Sequence, residues 1–122
     1  MKSIQARHFH KGRLSPVRLL VAHTMEWPET VTAAEDCARM FATMERPASA
    51  HVCGDSNSRV RCVADKDTAW AAPGGNADGL HYEFFGRAGQ TVAQWADGPS
   101  QAALRVAAPQ FADWSLRHKI PL

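Results

Sequence analysis

The sequence predicts a mixed α/β domain in which a central sheet of about four strands is flanked by helices. Two observations indicate this class: short apolar or alternating segments typical of strands, and longer segments in which apolar residues recur at helical spacing. Along the chain the order is strand, helix, two strands, loop, strand and helices. A chain of 122 residues is expected to form one domain, spanning residues 1–122.

The first half of the chain contains one predicted strand and one predicted helix. The strand begins at Val17 and its apolar run stops at His23, after β-branched and leucine residues that favour a buried strand. Apolar residues then recur at helical spacing over about residues 31–44, which predicts an amphipathic helix. Thr32 and Glu35 have the spacing of a capping box at its start.

The middle of the chain predicts a hairpin, a loop and a further strand. Residues 48–53 and 59–64 are short strand candidates separated by a turn-rich segment, as in a hairpin. Residues 71–79 are too rich in glycine for regular structure and are expected to form a surface loop of the kind that lines sites. In the next strand, alternation places Leu80, Tyr82 and Phe84 on one face and His81, Glu83 and Phe85 on the other.

The two ends of the chain differ in pattern. Residues 1–16 are polar and basic and are expected to be an extended lead-in. Towards the other end, a short helical piece ends at Trp95, and Ser100 is predicted to cap a longer helix. Pro109 is expected to kink this helix or to split it in two.

Composition excludes several classes of function. The net charge is only +2 and the basic residues are scattered, so nucleic acid is not an expected partner, although an anionic cell-wall polymer would be compatible. No segment is long and apolar enough to predict a membrane span. The three cysteines lack paired spacing, which favours buried free thiols in a reducing compartment. Without a signal-peptide pattern at the N-terminus, synthesis is expected in the cytoplasm.

Two residues stand out as candidates for chemistry. His23 is predicted at the exit of a buried strand, where a metal ligand or general base would be held rigidly; a hydrogen-bonded histidine at the sheet rim without chemistry is the alternative. Glu83 lies inside an otherwise apolar strand, so its carboxyl group needs either a partner or a function.

Three segments, in order along the chain, resemble the zinc-dependent N-acetylmuramoyl-L-alanine amidases of the phage-lysozyme and peptidoglycan-recognition-protein type. Within that group the sequence is most similar to endolysins of phages that infect mycobacteria and their relatives. The segments run over residues 21–35, 48–70 and 72–86, and the end of the chain from Trp114 resembles the family's long helix and its exit. The resemblance therefore spans nearly the whole sequence.

The resemblance implies a zinc hydrolase in which a metal-bound water attacks the amide between N-acetylmuramic acid and L-alanine of bacterial peptidoglycan. It identifies His23 with the first zinc ligand and Glu83 with the acidic residue that moves the water proton. His51 matches a family histidine that either orients strands or lines the groove. With Trp70, Asn76 and His81, it completes the set of substrate-groove candidates.

The sequence also departs from the family pattern. The second zinc histidine and the third ligand belong to a segment beyond the long helix, and the sequence stops at Leu122. The resemblance therefore implies a domain without its C-terminal part, an incomplete zinc ligand set and an apolar surface open to self-association. His81 stands where the family generally has a small residue. One alternative is that it completes a local metal site with His23, Glu83 and, as a further ligand, His51; the other is that it is drift in a decayed gene.

Three functions follow as hypotheses. The first is a peptidoglycan amidase of endolysin type, for which action on the cell wall would require holin-type release from the cytoplasm. The second is a non-catalytic peptidoglycan-binding module that uses the same groove. The third is a truncated prophage remnant without a function of its own.

Overall fold

The computed structural model describes all of residues 1–122 and contains two sheets and three helices. The strands are β1 (Lys2–Ser3), β2 (Phe9–His10), β3 (Leu19–Thr24), β4 (Val52–Gly54), β5 (Arg59–Arg61), β6 (Thr68–Ala69) and β7 (Gly79–Phe84). The helices are α1 (Ala33–Thr43), α2 (Val92–Trp95) and α3 (Gly98–His118). No helix has the length and apolar character needed to cross a membrane.

The main sheet has five strands in the order β1-β5-β4-β7-β3. β7 lies between β4 and β3 and runs parallel to both, whereas β4 and β5 form the predicted antiparallel hairpin. The mixed α/β class is therefore confirmed. The fifth strand, β1, comes from the lead-in, which also supplies β2 to a small antiparallel sheet with β6. The sequence of residues 1–16 lacks the alternation of apolar and polar residues that indicates a strand, so β1 and β2 were not predicted.

The predicted alternation of β7 is confirmed by its packing. Leu80, Tyr82 and Phe84 are buried in a cluster with Ala107 and Trp114 of α3. The opposite face of the sheet packs against α1, where another buried cluster includes Cys37, Phe41 and Cys53. β7 thus separates an aromatic core on the α3 side from a second layer on the α1 side.

The start of α1 differs from the predicted capping box. Thr32 makes no side-chain capping bond, and its hydroxyl donates instead to the Asp36 carboxylate at 2.9 Å. The Ala34 N–H donates to Oδ2 of Asp55, a fully buried residue in the β4–β5 loop, also at 2.9 Å. The capping-box prediction is wrong because a carboxylate distant in sequence satisfies the first turn of the helix.

α3 also differs from its predicted form. Asp97 is the N-cap and accepts a hydrogen bond from the Ser100 N–H at 2.9 Å, so the prediction that Ser100 caps the helix is wrong. The helix continues from Gly98 to His118 through Pro109, which excludes the predicted split. Pro109 lies on the exposed side, while the buried face of the helix runs past it without interruption.

Candidate functional site

The site is organised by the pairing of β3 with β7. These strands are parallel, and their register places His23 directly opposite Glu83, one residue before β3 ends. Ligand sites in open α/β sheets commonly lie at the carboxyl ends of parallel strands, which is where these two residues lie. The structure therefore brings together the two residues that the sequence analysis selected for chemistry.

His23 forms a direct hydrogen bond with a second histidine. Its Nε2 lies 2.9 Å from Nδ1 of His81, and Nε2 of His81 lies 3.1 Å from the carbonyl oxygen of Gly75. His81 is fully buried, and burial lowers its pKa to about 4. Burial also lowers the pKa of the half-buried His23 below its ordinary value. Both rings are therefore neutral at pH 7.

His51 continues this row into the interior. Its Nδ1 accepts a hydrogen bond from the His81 N–H at 3.1 Å, and its Nε2 lies 3.2 Å from the carbonyl oxygen of Asp67. The ring is fully buried, which lowers its pKa to about 3. Of the two roles expected for His51, the geometry supports the orientation of β7, since the ring does not reach the open groove.

Glu83 has no hydrogen-bond partner for its carboxyl group, although most of its side chain is buried. Because burial disfavours the charged form, the pKa of Glu83 is raised to about 7. A carboxyl group with this pKa is present in both protonation states near neutral pH. Glu83 is therefore suited to accept and return a proton during a reaction.

Two clefts meet at Glu83. The first, of about 590 Å³, also includes His23 and is bounded by Trp95 and Leu104. The second, of about 450 Å³, is lined by several apolar residues of the α1 side, with Arg46 among its polar lining. Thr24, Glu26 and Glu83 line both clefts, so the two clefts adjoin at Glu83 and are together called the groove below.

The remaining groove candidates have different surroundings. Trp70 lines the second cleft, is 37% exposed and stacks against His8 with ring centroids 6.1 Å apart. Asn76 holds the 71–79 loop together, because its side-chain oxygen accepts the N–H groups of Ala71 and Ala72 at 2.9 and 2.7 Å. Contact of Trp70 and Asn76 with substrate remains a prediction.

Glu26 is a groove residue that sequence reasoning missed. Its backbone is left-handed, with φ of 54°, which is uncommon for a residue other than glycine. Its carboxylate accepts hydrogen bonds from the Thr24 hydroxyl at 2.6 Å and the Ala88 N–H at 2.7 Å. These bonds connect the end of β3 to the loop after β7 and fix the rim of the groove. No local sequence pattern signals a contact between segments so far apart.

A mixed α/β sheet with a histidine opposite an unpaired carboxyl group in an open groove defines an α/β domain with a candidate acid–base site. Residues 13–122 match the N-acetylmuramoyl-L-alanine amidase family. The chain therefore belongs to this family, and its fold is that of amidase-like peptidoglycan hydrolases.

Solved structures agree with this fold. PlyL superposes with a TM-score of 0.69 at 15% identity, covering 99% of this chain and 76% of PlyL. A mutant endolysin from Bacillus subtilis gives 0.72 at 16% identity, with coverages of 98% and 77%. An AmpD derivative gives 0.69 at 14% identity, with coverages of 97% and 75%. No curated protein matches the sequence. At these identities the structural similarity establishes the fold alone.

The family is generally zinc-dependent, and a zinc centre needs about three protein ligands in fixed geometry. Residues 1–122 contain no group of three or more His, Cys, Asp or Glu side chains arranged to hold a metal ion. His81 and His51 each use both ring nitrogens in contacts within the fold. The local metal site of His23, His51, His81 and Glu83 is therefore not formed, and these residues do not fit a centre with three protein ligands.

Proposed function

We propose that the protein is a peptidoglycan hydrolase that cleaves the amide between N-acetylmuramic acid and L-alanine of the stem peptide. The observation that supports this most directly is the position of Glu83, an unpaired carboxyl group with a pKa of about 7, opposite His23 in an open groove. Family membership supplies the class of substrate. The groove supplies space on both sides of the reacting residues.

In this proposal an extended substrate crosses Glu83, with the sugar on one side and the peptide on the other. Glu83 accepts a proton from the attacking water as the water oxygen bonds to the lactyl carbonyl carbon. It then returns that proton to the alanine nitrogen as the C–N bond breaks, releasing a free amine and a lactyl carboxylic acid, which loses the second water proton to solvent. No step is assigned to zinc, because the residues present do not form its ligand set.

The proposal is tested by incubating the purified chain with bacterial cell walls and measuring new N-terminal alanine. The assay is run with added zinc and, separately, with a chelator. Wild-type protein is expected to release alanine amino groups, and Glu83→Gln is expected to lose at least a hundredfold in rate because it can no longer accept the proton. Glu45→Gln, at an exposed glutamate outside the groove, is the matched control and should keep the wild-type rate.

A second candidate is a peptidoglycan-binding module without hydrolysis. The observation that favours it is that the two clefts at Glu83 are open to a ligand, whereas the residues present do not form a three-ligand metal centre. Co-sedimentation with cell walls distinguishes the two candidates. Folded wild-type protein that binds walls but releases no amino groups under either metal condition overturns the hydrolase and supports the binding module.

A further inference from the structure

His81 lies at the centre of a fixed row of hydrogen bonds. A carbonyl oxygen can only accept, so the contact between Gly75 and Nε2 of His81 requires a proton on that nitrogen. In a neutral imidazole the other nitrogen, Nδ1, is then an acceptor. The 2.9 Å contact between Nδ1 of His81 and Nε2 of His23 therefore requires His23 to donate.

This pattern determines which nitrogen of His23 is available. With the proton on Nε2 committed to His81, Nδ1 of His23 is left with a free lone pair and no hydrogen-bond partner within the chain. Nδ1 is also not enclosed: the buried polar atoms without a partner are Tyr82 Oη and His118 Nε2. Only one nitrogen of His23 is thus open to the groove.

The surroundings of His81 hold its ring in this position. The ring stacks on His51 with centroids 5.8 Å apart and an interplanar angle of 12°. A Cβ atom at Gly79 would lie 2.6 Å from Nε2 of His81 and 2.3 Å from the Gly75 carbonyl oxygen. A side chain larger than that of glycine at position 79 would therefore displace the ring or the loop. The 71–79 loop therefore has room for the His81 ring because residue 79 is a glycine.

We propose that His81 is a positioning residue that holds His23 in the Nε2–H tautomer and couples it to the 71–79 loop, leaving Nδ1 as the nitrogen of His23 that is free to contact substrate beside Glu83. The catalytic consequence rests on the proposed function, whereas the tautomer does not. A single tautomer keeps the open lone pair in place before substrate arrives, and a loop displacement at Gly75 is transmitted to His23 through one side chain.

The tautomer is measured by long-range ¹H–¹⁵N NMR of the full chain at pH 7.5. Wild-type protein is expected to show His23 as the Nε2–H form alone, with a scalar coupling across the N–H···N bond to His81. His81→Ala should lose that coupling and give a mixture of tautomers. His81→Asn should retain the single tautomer, since its side-chain oxygen takes the place of Nδ1 as acceptor. His10→Ala, at an exposed histidine outside the row, is the control.

Wall hydrolysis by the same variants gives a second readout. His81→Ala should lower kcat by up to about 100-fold with a smaller change in KM, because His23 is no longer held in one position beside Glu83, and His81→Asn should recover most of that loss. A wild-type His23 with its proton on Nδ1, or a His81→Ala variant with an unchanged single tautomer, overturns the proposal. Absence of hydrolysis in wild-type protein would refute the proposed function, while the NMR result would still decide the role of His81.

Discussion

The two faces of the central sheet are built for different tasks, although they share strand β7. The α3 face is closed by aromatic rings, with Tyr82, Phe111 and Trp114 packed at centroid distances of 5.4 to 6.5 Å. The other face presents His81 and Glu83 from the same strand, beside His23. Alternation along one strand therefore lets the apolar residues stabilise the fold while their polar neighbours form the site.

The difference extends to how polar groups are satisfied. On the α3 face the indole N–H of Trp114 donates to the Asp65 carboxylate at 3.0 Å. On the site face the Glu83 carboxyl group has no partner and its pKa is raised by burial. Unpaired buried carboxyl groups lower stability, and such residues are concentrated at functional sites. The comparison shows that the α3 face pairs its buried carboxylate, whereas the site face keeps the unpaired carboxyl group of Glu83 at a cost in stability.

The largest effect on the free energy of unfolding is expected in acid, and it concerns His51, which stacks on His81 of the site face. The folded pKa of His51 is about 3 against an ordinary 6.5, so its contribution to stability is complete above pH 6.5 and is lost as the pH falls towards 3. The loss amounts to at most about 5 kcal/mol. Urea unfolding from pH 7 to pH 4 should show this decline in wild-type protein and a shallower slope in His51→Asn. An equal slope in both proteins would contradict the assignment, and His10→Gln controls for the loss of one imidazole.

The next effect concerns the aromatic face. Trp114→Ala removes a fully buried ring and leaves the Asp65 carboxylate without its indole donor, so we expect a loss of about 3–5 kcal/mol in the free energy of unfolding. Urea denaturation at pH 7 measures it. Trp70→Ala, at the partly exposed tryptophan of the groove, is the matched comparison and should cost less. Equal losses would remove the distinction between the faces.

Glu83→Gln should act in the opposite direction. Because the folded pKa of about 7 lies above the ordinary 4.5, the charged carboxyl group destabilises the folded state as the pH rises through this window. The variant should therefore be more stable than wild type by up to about 3 kcal/mol above pH 7, and equally stable below pH 4.5. Thermal unfolding at pH 4 and pH 8 checks this. A destabilised variant at pH 8 would show that Glu83 has a stabilising partner.

The smallest of these effects is expected at the start of α1. Asp55→Asn keeps the size of the side chain but removes the charge that accepts N–H groups from Ala34, Asn57 and Ser58. We expect a loss of about 1–2 kcal/mol, typical of a helix cap. Thr32→Val provides the contrast: its hydroxyl caps nothing, so its substitution should change stability by less. A larger loss of stability in Thr32→Val than in Asp55→Asn would support the capping box predicted from sequence.

Several structural elements that depend on local sequence pattern were predicted correctly. The hairpin, the α1 helix and the alternation of β7 follow from periodicities that neighbouring residues impose on each other. His23 and Glu83 were each selected from their own strand and assigned to one site by the family resemblance, but their position opposite each other was not predicted, since the register between β3 and β7 is not encoded within either strand. The His23–His81 bond, the Asp55 cap and the left-handed Glu26 depend on contacts between distant segments, which no local periodicity reports.

The position of β7 between β3 and β4 has a consequence for synthesis. β3 leaves the ribosome early, but its parallel partner follows only after α1 and the hairpin have been made. Pairing strands so distant in sequence is slow, because a long loop must close before the contacts form. A nascent chain that ends before β7 therefore has His23 without Glu83, His81 or the groove between them. The candidate site can therefore form only after β7, the last strand in the sequence, has paired between β3 and β4.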